Sequence, residues 1–197
     1  MNIEKIINLI QGKIVSNNDN WMFTLAIDGP SASGKSTLAR LTSKSIKKSS
    51  IVHVDDFYKT STQRKNQITN NNLHGIAFDL ERLKQQALNP IALKKSTNYQ
   101  IYNWTVDRLT DIRIIQPVGL IIVEGIYSLR QDLQNYYDFK IWLEVPKKLC
   151  EERVLERDRV GIGNYHNWKN DYRPAEEQYV KLQNPGNSAD LVLTTFG

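Results

Sequence analysis

A chain of 197 residues with 40% apolar side chains is long enough to bury one core and short for two, so a single domain spanning 1–197 is expected. Its one cysteine, Cys150, excludes an internal disulfide and suits a reducing cytoplasm, the compartment expected here. The net charge of +5 fits a cationic phosphate pocket or a solvated surface; the pairs Lys47-Lys48, Lys94-Lys95 and Lys147-Lys148 are dispersed, with no aromatic-studded basic stripe joining them, which argues against a nucleic-acid partner.

From Met1 to Val15, the isoleucines and leucine at 3, 6, 7, 9, 10 and 14 alternate with Glu4, Lys5 and Lys13. That pattern predicts an amphipathic helix within residues 1–18 that packs on the domain, not the unbroken apolar core of a signal peptide. No run is long enough to span a bilayer, and no membrane partner is expected.

The β-type run Met22 to Ile27 leads into Gly29-Pro30-Ser31-Ala32-Ser33-Gly34-Lys35-Ser36-Thr37, which satisfies the phosphate-binding pattern G-x-x-x-x-G-K-[ST]. Helical spacing of Leu38, Leu41 and Ile46 follows, so strand, loop and helix stand in the order that aims loop amides at a triphosphate. In that motif Lys35 reaches the β and γ phosphates of a nucleoside triphosphate and the Ser36 hydroxyl ligates Mg2+.

A second β run, Ser50 to Val54, ends in Asp55-Asp56, and residues 60–72 are polar and read as an exposed loop. A helix is predicted from Asp79, with Leu80, Leu83, Ala87 and Leu88 on one face and Asn89-Pro90 as its stop. Tyr99 to Trp104 is aromatic-rich, fit either to stack a flat acceptor ring or to pack a core; Trp168 and Tyr172 carry the same two readings.

Gly119 to Val123 is nearly all apolar, the mark of a central strand buried on both faces, and it delivers Glu124-Gly125 at its end. Phe139 to Val145 is a further strand, and Pro146 opens a helix from Lys147 to Arg159. There Arg153 and Arg157 share a face, with Arg159 beyond. They serve as phosphate clamps or as ordinary surface pairs with Glu151, Glu152 and Glu156. Gly161 and Gly163 would let residues 149–173 swing as a small helical lid. Ala189 to Leu193 is the last strand.

Alternating strands and helices predict an α/β fold, a parallel sheet with helices on both faces. Ligands bind at the carboxyl ends of such strands, where the phosphate loop, Asp55-Asp56 and Glu124-Gly125 all fall. Asp55 is the candidate base for an acceptor hydroxyl and Glu124 the candidate Mg2+-side acid; for one of Asp55 and Asp56, a solvated turn or helix cap is the competing reading.

These blocks together resemble the uridine kinase and phosphoribulokinase group of P-loop kinases. The likeness is carried by the phosphate loop, Asp55-Asp56-Phe57-Tyr58, Ala77-Phe78-Asp79, Tyr102-Asn103-Trp104, Val123-Glu124-Gly125-Ile126, Arg153 with Arg157-Asp158, Arg173-Pro174-Ala175-Glu176-Glu177-Gln178-Tyr179, and Ala189-Asp190-Leu191-Val192-Leu193.

The resemblance implies a P-loop NTPase sheet of about five parallel strands and transfer of the ATP γ-phosphate to a hydroxyl of a small molecule. It implies Asp55 as base; Lys35, Arg153 and Arg157 around the phosphates; Ser36 and Glu124 toward Mg2+; and Gly29, Ser31, Ala32, Ser33, Gly34 and Thr37 in the nucleotide cradle. Asp56, Tyr58, Tyr102, Trp104, Asp107 and Arg159 are the acceptor-side candidates.

Three departures stand out. Asn72-Leu73-His74-Gly75-Ile76 carries no acid where such kinases hold the ribose, Asp107 stands where a histidine reads the pyrimidine, and Arg159-Val160-Gly161-Ile162-Gly163 alters the lid pattern. The expected function is ATP- and Mg2+-dependent phosphorylation of a small nucleoside-like metabolite. The alternatives are an acceptor of pantothenate or sugar type, or a regulatory ATPase. The oligomeric state is left open, a homo-oligomer included.

Overall fold

The structure is a computed structural model, described here over residues 3–14, 21–65 and 77–194. The strands are β1 (Met22–Asp28), β2 (Ser49–His53), β3 (Thr97–Asn103), β4 (Arg108–Ile115), β5 (Gly119–Glu124), β6 (Phe139–Leu143) and β7 (Leu191–Leu193). Five of them form a parallel sheet in the order β2-β5-β1-β6-β7, as the alternating pattern predicts, and β3 and β4 form a separate antiparallel hairpin.

All six residues of β5 are buried, which is what an uninterrupted apolar run demands of a strand covered on both faces. In β1 the pleat sends Leu25 and Ile27 to one face and Ala26 to the other. The first pair joins a cluster with Leu38, Leu120, Ile122 and Phe139; Ala26 joins one with Val52, Ile121, Tyr99, Trp142 and Tyr179.

Helix α1 (Ile3–Lys13) lays Ile6 and Ile10 into the first cluster, so the predicted amphipathic helix does pack on the domain; residues 15–18 of that prediction lie outside the described residues. Helix α2 (Lys35–Ser45) follows the phosphate loop and buries Leu38 and Ala39 on the same face. Among the described residues no helix is long and apolar enough to cross a membrane.

Four expectations change. The start of the predicted polar loop forms a short helix, α3 (Ser61–Lys65), while residues 66–76, with Leu73 and His74, lie outside the described residues. Pro90 does not stop the helix after Asp79. An α-turn (Leu80–Leu83), a π-turn (Lys84–Leu88) and a final α-turn (Asn89–Ala92) run on as one element, α4. The Gln86 carbonyl, in the π-turn just ahead of Pro90, accepts the Thr97 hydroxyl.

The Tyr99 to Trp104 segment is largely strand β3 of a hairpin the sequence pattern does not predict, and Tyr99 with Ile101 takes the core-packing reading. The last strand is shorter than expected, with Ala189 and Asp190 outside it. Helix α5 (Lys147–Arg159) matches its predicted bounds, and residues 165–172 lead directly into α6 (Arg173–Gln183).

Candidate active site

Strand register sets the site before any side chain does. Glu124 pairs with Ile27 of β1 on one side and His53 of β2 on the other, so the carboxyl ends of β1, β2 and β5 stop level. The phosphate loop, the turn bearing Asp55 and the end of β5 open on one edge. Gly125, at φ 145°, allows this closeness: a Cβ there would stand 2.5 Å from that of Val54, the residue before Asp55.

The phosphate loop is shaped for anions. Gly34 at φ 106° and Ala32 at φ 60° both take left-handed backbone, a conformation that costs an alanine about 1–2 kcal/mol and bends successive amides toward one side. Lys35 is 9% exposed, and its ammonium donates to the carbonyls of Gly29 and Pro30, at 2.8 Å each. Under the loop, fully buried Asp28 accepts from Gly29 N–H (2.6 Å), Leu129 N–H (2.8 Å) and the Tyr179 hydroxyl (2.8 Å). Burial outweighs those three donors and raises its pKa to about 6.

A cavity of about 130 Å³ lies over the loop, lined among others by Lys35, Ser36, Thr37, Asp55, Glu124 and Arg157. Asp55 sits in the 3-10 turn Val54–Phe57 and keeps solvent access at the cavity mouth. The protein walls around it, and next the charge of Glu124, hold its carboxyl above the ordinary range, against the opposing pull of Lys35. Glu124 accepts from the Ser36 hydroxyl at 3.2 Å on one oxygen and meets His53 Nδ1 at 2.5 Å on the other. Burial lowers the His53 pKa, yet the hydrogen bond and charge of Glu124 prevail and raise it.

The predicted arginines separate. Arg157 lines the cavity; Arg153, one turn earlier, donates to the carbonyls of Ala32 (3.1 Å) and Ser33 (3.4 Å) and so grips the loop itself. Arg159 belongs to neither: its side chain is exposed and pairs with Glu156 at 3.4 Å, on the side that helical rotation turns outward.

The acceptor-side candidates also divide. Asp56 turns away from the cavity, its carboxylate held by Arg113 (3.0 Å) and the Tyr99 hydroxyl (3.1 Å). Asp107 is likewise committed, accepting Ser61 N–H at 2.9 Å, the Ser61 hydroxyl and the Tyr102 hydroxyl at 2.7 Å. These donors hold its pKa near 2. Tyr58, Tyr102 and Trp104 do come together: Tyr58 is the hub, with ring centroids 4.3 Å from Trp104, 5.4 Å from Tyr102 and 5.0 Å from Phe78. Arg64 lies over the Tyr58 ring, and Trp104 keeps half its surface exposed.

Sequence reasoning passed over His53 and Glu176. Glu176, in the first turn of α6, is buried and accepts both the N–H and the hydroxyl of Ser31. The only sequence signal for it was its place inside the Arg173-to-Tyr179 block. For His53 the signal was its position two residues before Asp55.

The donor set suits Mg2+: the Ser36 hydroxyl, in the first turn of α2, and the Glu124 carboxylate, at the end of β5, bring two hard oxygens within 3.2 Å, the ligand type that ion prefers.

A uridine kinase of Ureaplasma parvum serovar 3 is 30% identical over 169 residues, covering 80% of this chain and 81% of that protein. A structure from Bacillus stearothermophilus described as a possible uridine kinase has a TM-score of 0.73 at 22% identity, covering 97% and 96% of the two chains. Phosphoribulokinase from Rhodobacter spheroides has a TM-score of 0.63 at 16% identity over 89% of this chain and 70% of that one; these two show a shared fold. The family model for Phosphoribulokinase / Uridine kinase matches residues 24–195. The chain therefore belongs to the phosphoribulokinase / uridine kinase family of P-loop phosphotransferases.

Proposed function

We propose that the protein transfers the γ-phosphoryl group of ATP, with Mg2+, to a hydroxyl of a small nucleoside-like metabolite. One observation carries this reading: Asp55, Lys35, Ser36, Glu124 and Arg157 line a single cavity over the phosphate loop, the parts that phosphoryl transfer needs. The relatives named uridine kinase support a nucleoside acceptor.

In this mechanism Lys35 leaves the Gly29 and Pro30 carbonyls for the β and γ phosphate oxygens, exchanging two neutral acceptors for charged ones. Ser36 and Glu124 would hold Mg2+, which when bound would supply charge neutralisation on the phosphates. Asp55 accepts the acceptor's hydroxyl proton as that oxygen attacks the γ-phosphorus and the ADP oxygen departs. Its raised pKa brings its proton affinity closer to neutral pH, where a general base is most effective. Arg157 neutralises the transferring group, and residues 149–173, turning at Gly161 and Gly163, close over it to exclude water.

A second acceptor class, a hydroxylated metabolite without a pyrimidine, is favoured by one feature. The Tyr102 hydroxyl and the Asp107 carboxylate satisfy each other and so are not free to read a base edge. The deciding experiment incubates the purified protein with ATP, Mg2+ and separate acceptors: uridine, cytidine, purine nucleosides, pantothenate and simple sugars. Turnover restricted to nucleosides supports the first reading. Turnover restricted to the others selects the second, and ATP hydrolysis with no acceptor phosphorylated would overturn both in favour of a regulatory ATPase.

A further inference from the structure

The phosphate loop is held on two sides by helices that follow it late in the chain. Arg153 of α5 takes the carbonyls of Ala32 and Ser33. On the other side, Glu176 of α6 receives the Ser31 N–H at 3.0 Å on one oxygen and the Ser31 hydroxyl on the other. The two helices are tied to each other by Arg173, which pairs with Glu151 at 3.3 Å and Glu177 at 3.2 Å.

We infer that Glu176 is a positioning residue for ATP: by fixing the peptide at Ser31 it holds the next residue, Ala32, in its left-handed conformation and keeps the following amides facing the phosphates. The inference rests on the reading of this loop as the ATP cradle. Three observations support it. Glu176 is 6% exposed, so its carboxylate is not a surface charge that happens to lie near a loop. Both oxygens are spent on one residue, Ser31, immediately before the strained Ala32 at φ 60°. Ser33 N–H closes a turn onto the Pro30 carbonyl at 3.1 Å, so a peptide fixed at Ser31 also fixes the turn from Pro30 to Ser33.

Burial of a carboxylate is unfavourable, and it pushes Glu176 upward against the Ser31 donors and Lys35. A group with only a packing role could be an apolar side chain of the same size at less cost. Behind Glu176 lies a cavity of about 800 Å³, bordered by Pro30, Trp142, Cys150 and Trp168. Water from that cavity can reach Ser31 when the carboxylate is removed, so truncation removes orientation while leaving the loop's amide hydrated and the fold intact.

The test compares native protein, E176A and E176Q by calorimetric titration with ATP and Mg2+, by thermal melting, and by kinetics with the acceptor that the panel above selects. For folded E176A, loss of one oriented hydrogen-bonding group corresponds to an ATP Kd raised about tenfold, with the acceptor KM within about twofold. E176Q keeps one acceptor oxygen and can donate to the Ser31 hydroxyl, so it should restore most of the affinity, to within about threefold of native. An ATP Kd for folded E176A within twofold of native overturns the inference. So does E176Q binding as weakly as E176A, because charge and not positioning would then be responsible. Should E176A not fold, E176D, which withdraws both oxygens by one methylene, is held to the same ATP criterion. Native protein that binds no ATP would sink the reading of the loop instead.

Discussion

Asp55 and Asp56 are neighbours of one type with opposite surroundings. The 3-10 turn that carries them points the first into the cavity over the phosphate loop and the second toward the hairpin, where Arg113 and Tyr99 occupy its oxygens. D55N should therefore remove the base and lower kcat about 10²–10⁴-fold, while the ATP Kd measured by titration stays near native. Because the reactive form is the carboxylate, kcat/KM should fall as pH drops through the Asp55 pKa, which lies above 3.8. A pH profile with its acidic limb at or below that value would exclude Asp55. D56A should do the reverse, costing about 1–3 kcal/mol in urea unfolding with kcat nearly unchanged, since it leaves the Tyr99 hydroxyl and Arg113 without their buried partner. The contiguous residues of the phosphate loop were legible because their spacing alone implies their chemistry. Asp56 was not separable from Asp55, because its partners lie 43 and 57 positions further on, outside any local pattern.

At the scale of elements, the main sheet was legible and the hairpin was not. β5 and β1 announce themselves by apolar runs that a two-sided strand requires. β3 begins with regular alternation, but its register shifts between Gln100 and Tyr102, and β4 is mostly exposed, so neither strand keeps a clean period of two. Pro90 misled for a related reason: the rule that proline ends a helix assumes α-helical spacing and local bonding alone, and here a π-turn precedes the proline and Thr97 of the next element donates to the Gln86 carbonyl within it. The pairing predicts that T97V, nearly isosteric but without the donor, destabilises the protein by about 1–2 kcal/mol by leaving the Gln86 carbonyl unsatisfied. T97S should recover most of that loss in the same urea titration. Equal stability of T97V and native protein would mean that water fills the carbonyl and that Thr97 has no part in carrying α4 past Pro90.

For the whole molecule, the titrating groups divide by location, and the division sets where the fold is most stable. Three buried carboxyls around the site, Asp28, Asp56 and Glu176, have raised pKa values, first through burial. Each binds its proton more tightly folded than unfolded, so each loses stability as pH rises from the unfolded carboxylate range through its folded value. For Asp28, raised from 3.8 to about 6, the loss amounts to about 3 kcal/mol, complete near pH 7. His53, raised from 6.5, works in the same direction: its pairing with Glu124 contributes fully below pH 6.5 and is lost as pH rises through the folded pKa. The peripheral carboxyls Asp107, Asp132, Glu151 and Glu177 are lowered, and their contribution is lost only as pH falls below about 4. Above pH 5 the peripheral carboxyls no longer change, so the buried site groups set the trend and the midpoint of urea unfolding should fall between pH 5 and pH 8. Transfer moves the other way over the same interval, because Asp55 must be ionised to act. The phosphate site thus keeps its buried acids partly charged at the expense of the fold, and nucleotide-free protein should melt lower where its chemistry runs faster. A midpoint that rises steadily from pH 5 to pH 8 would show that Asp28 and its neighbours are hydrated in the folded state, and that the site carries no such strain.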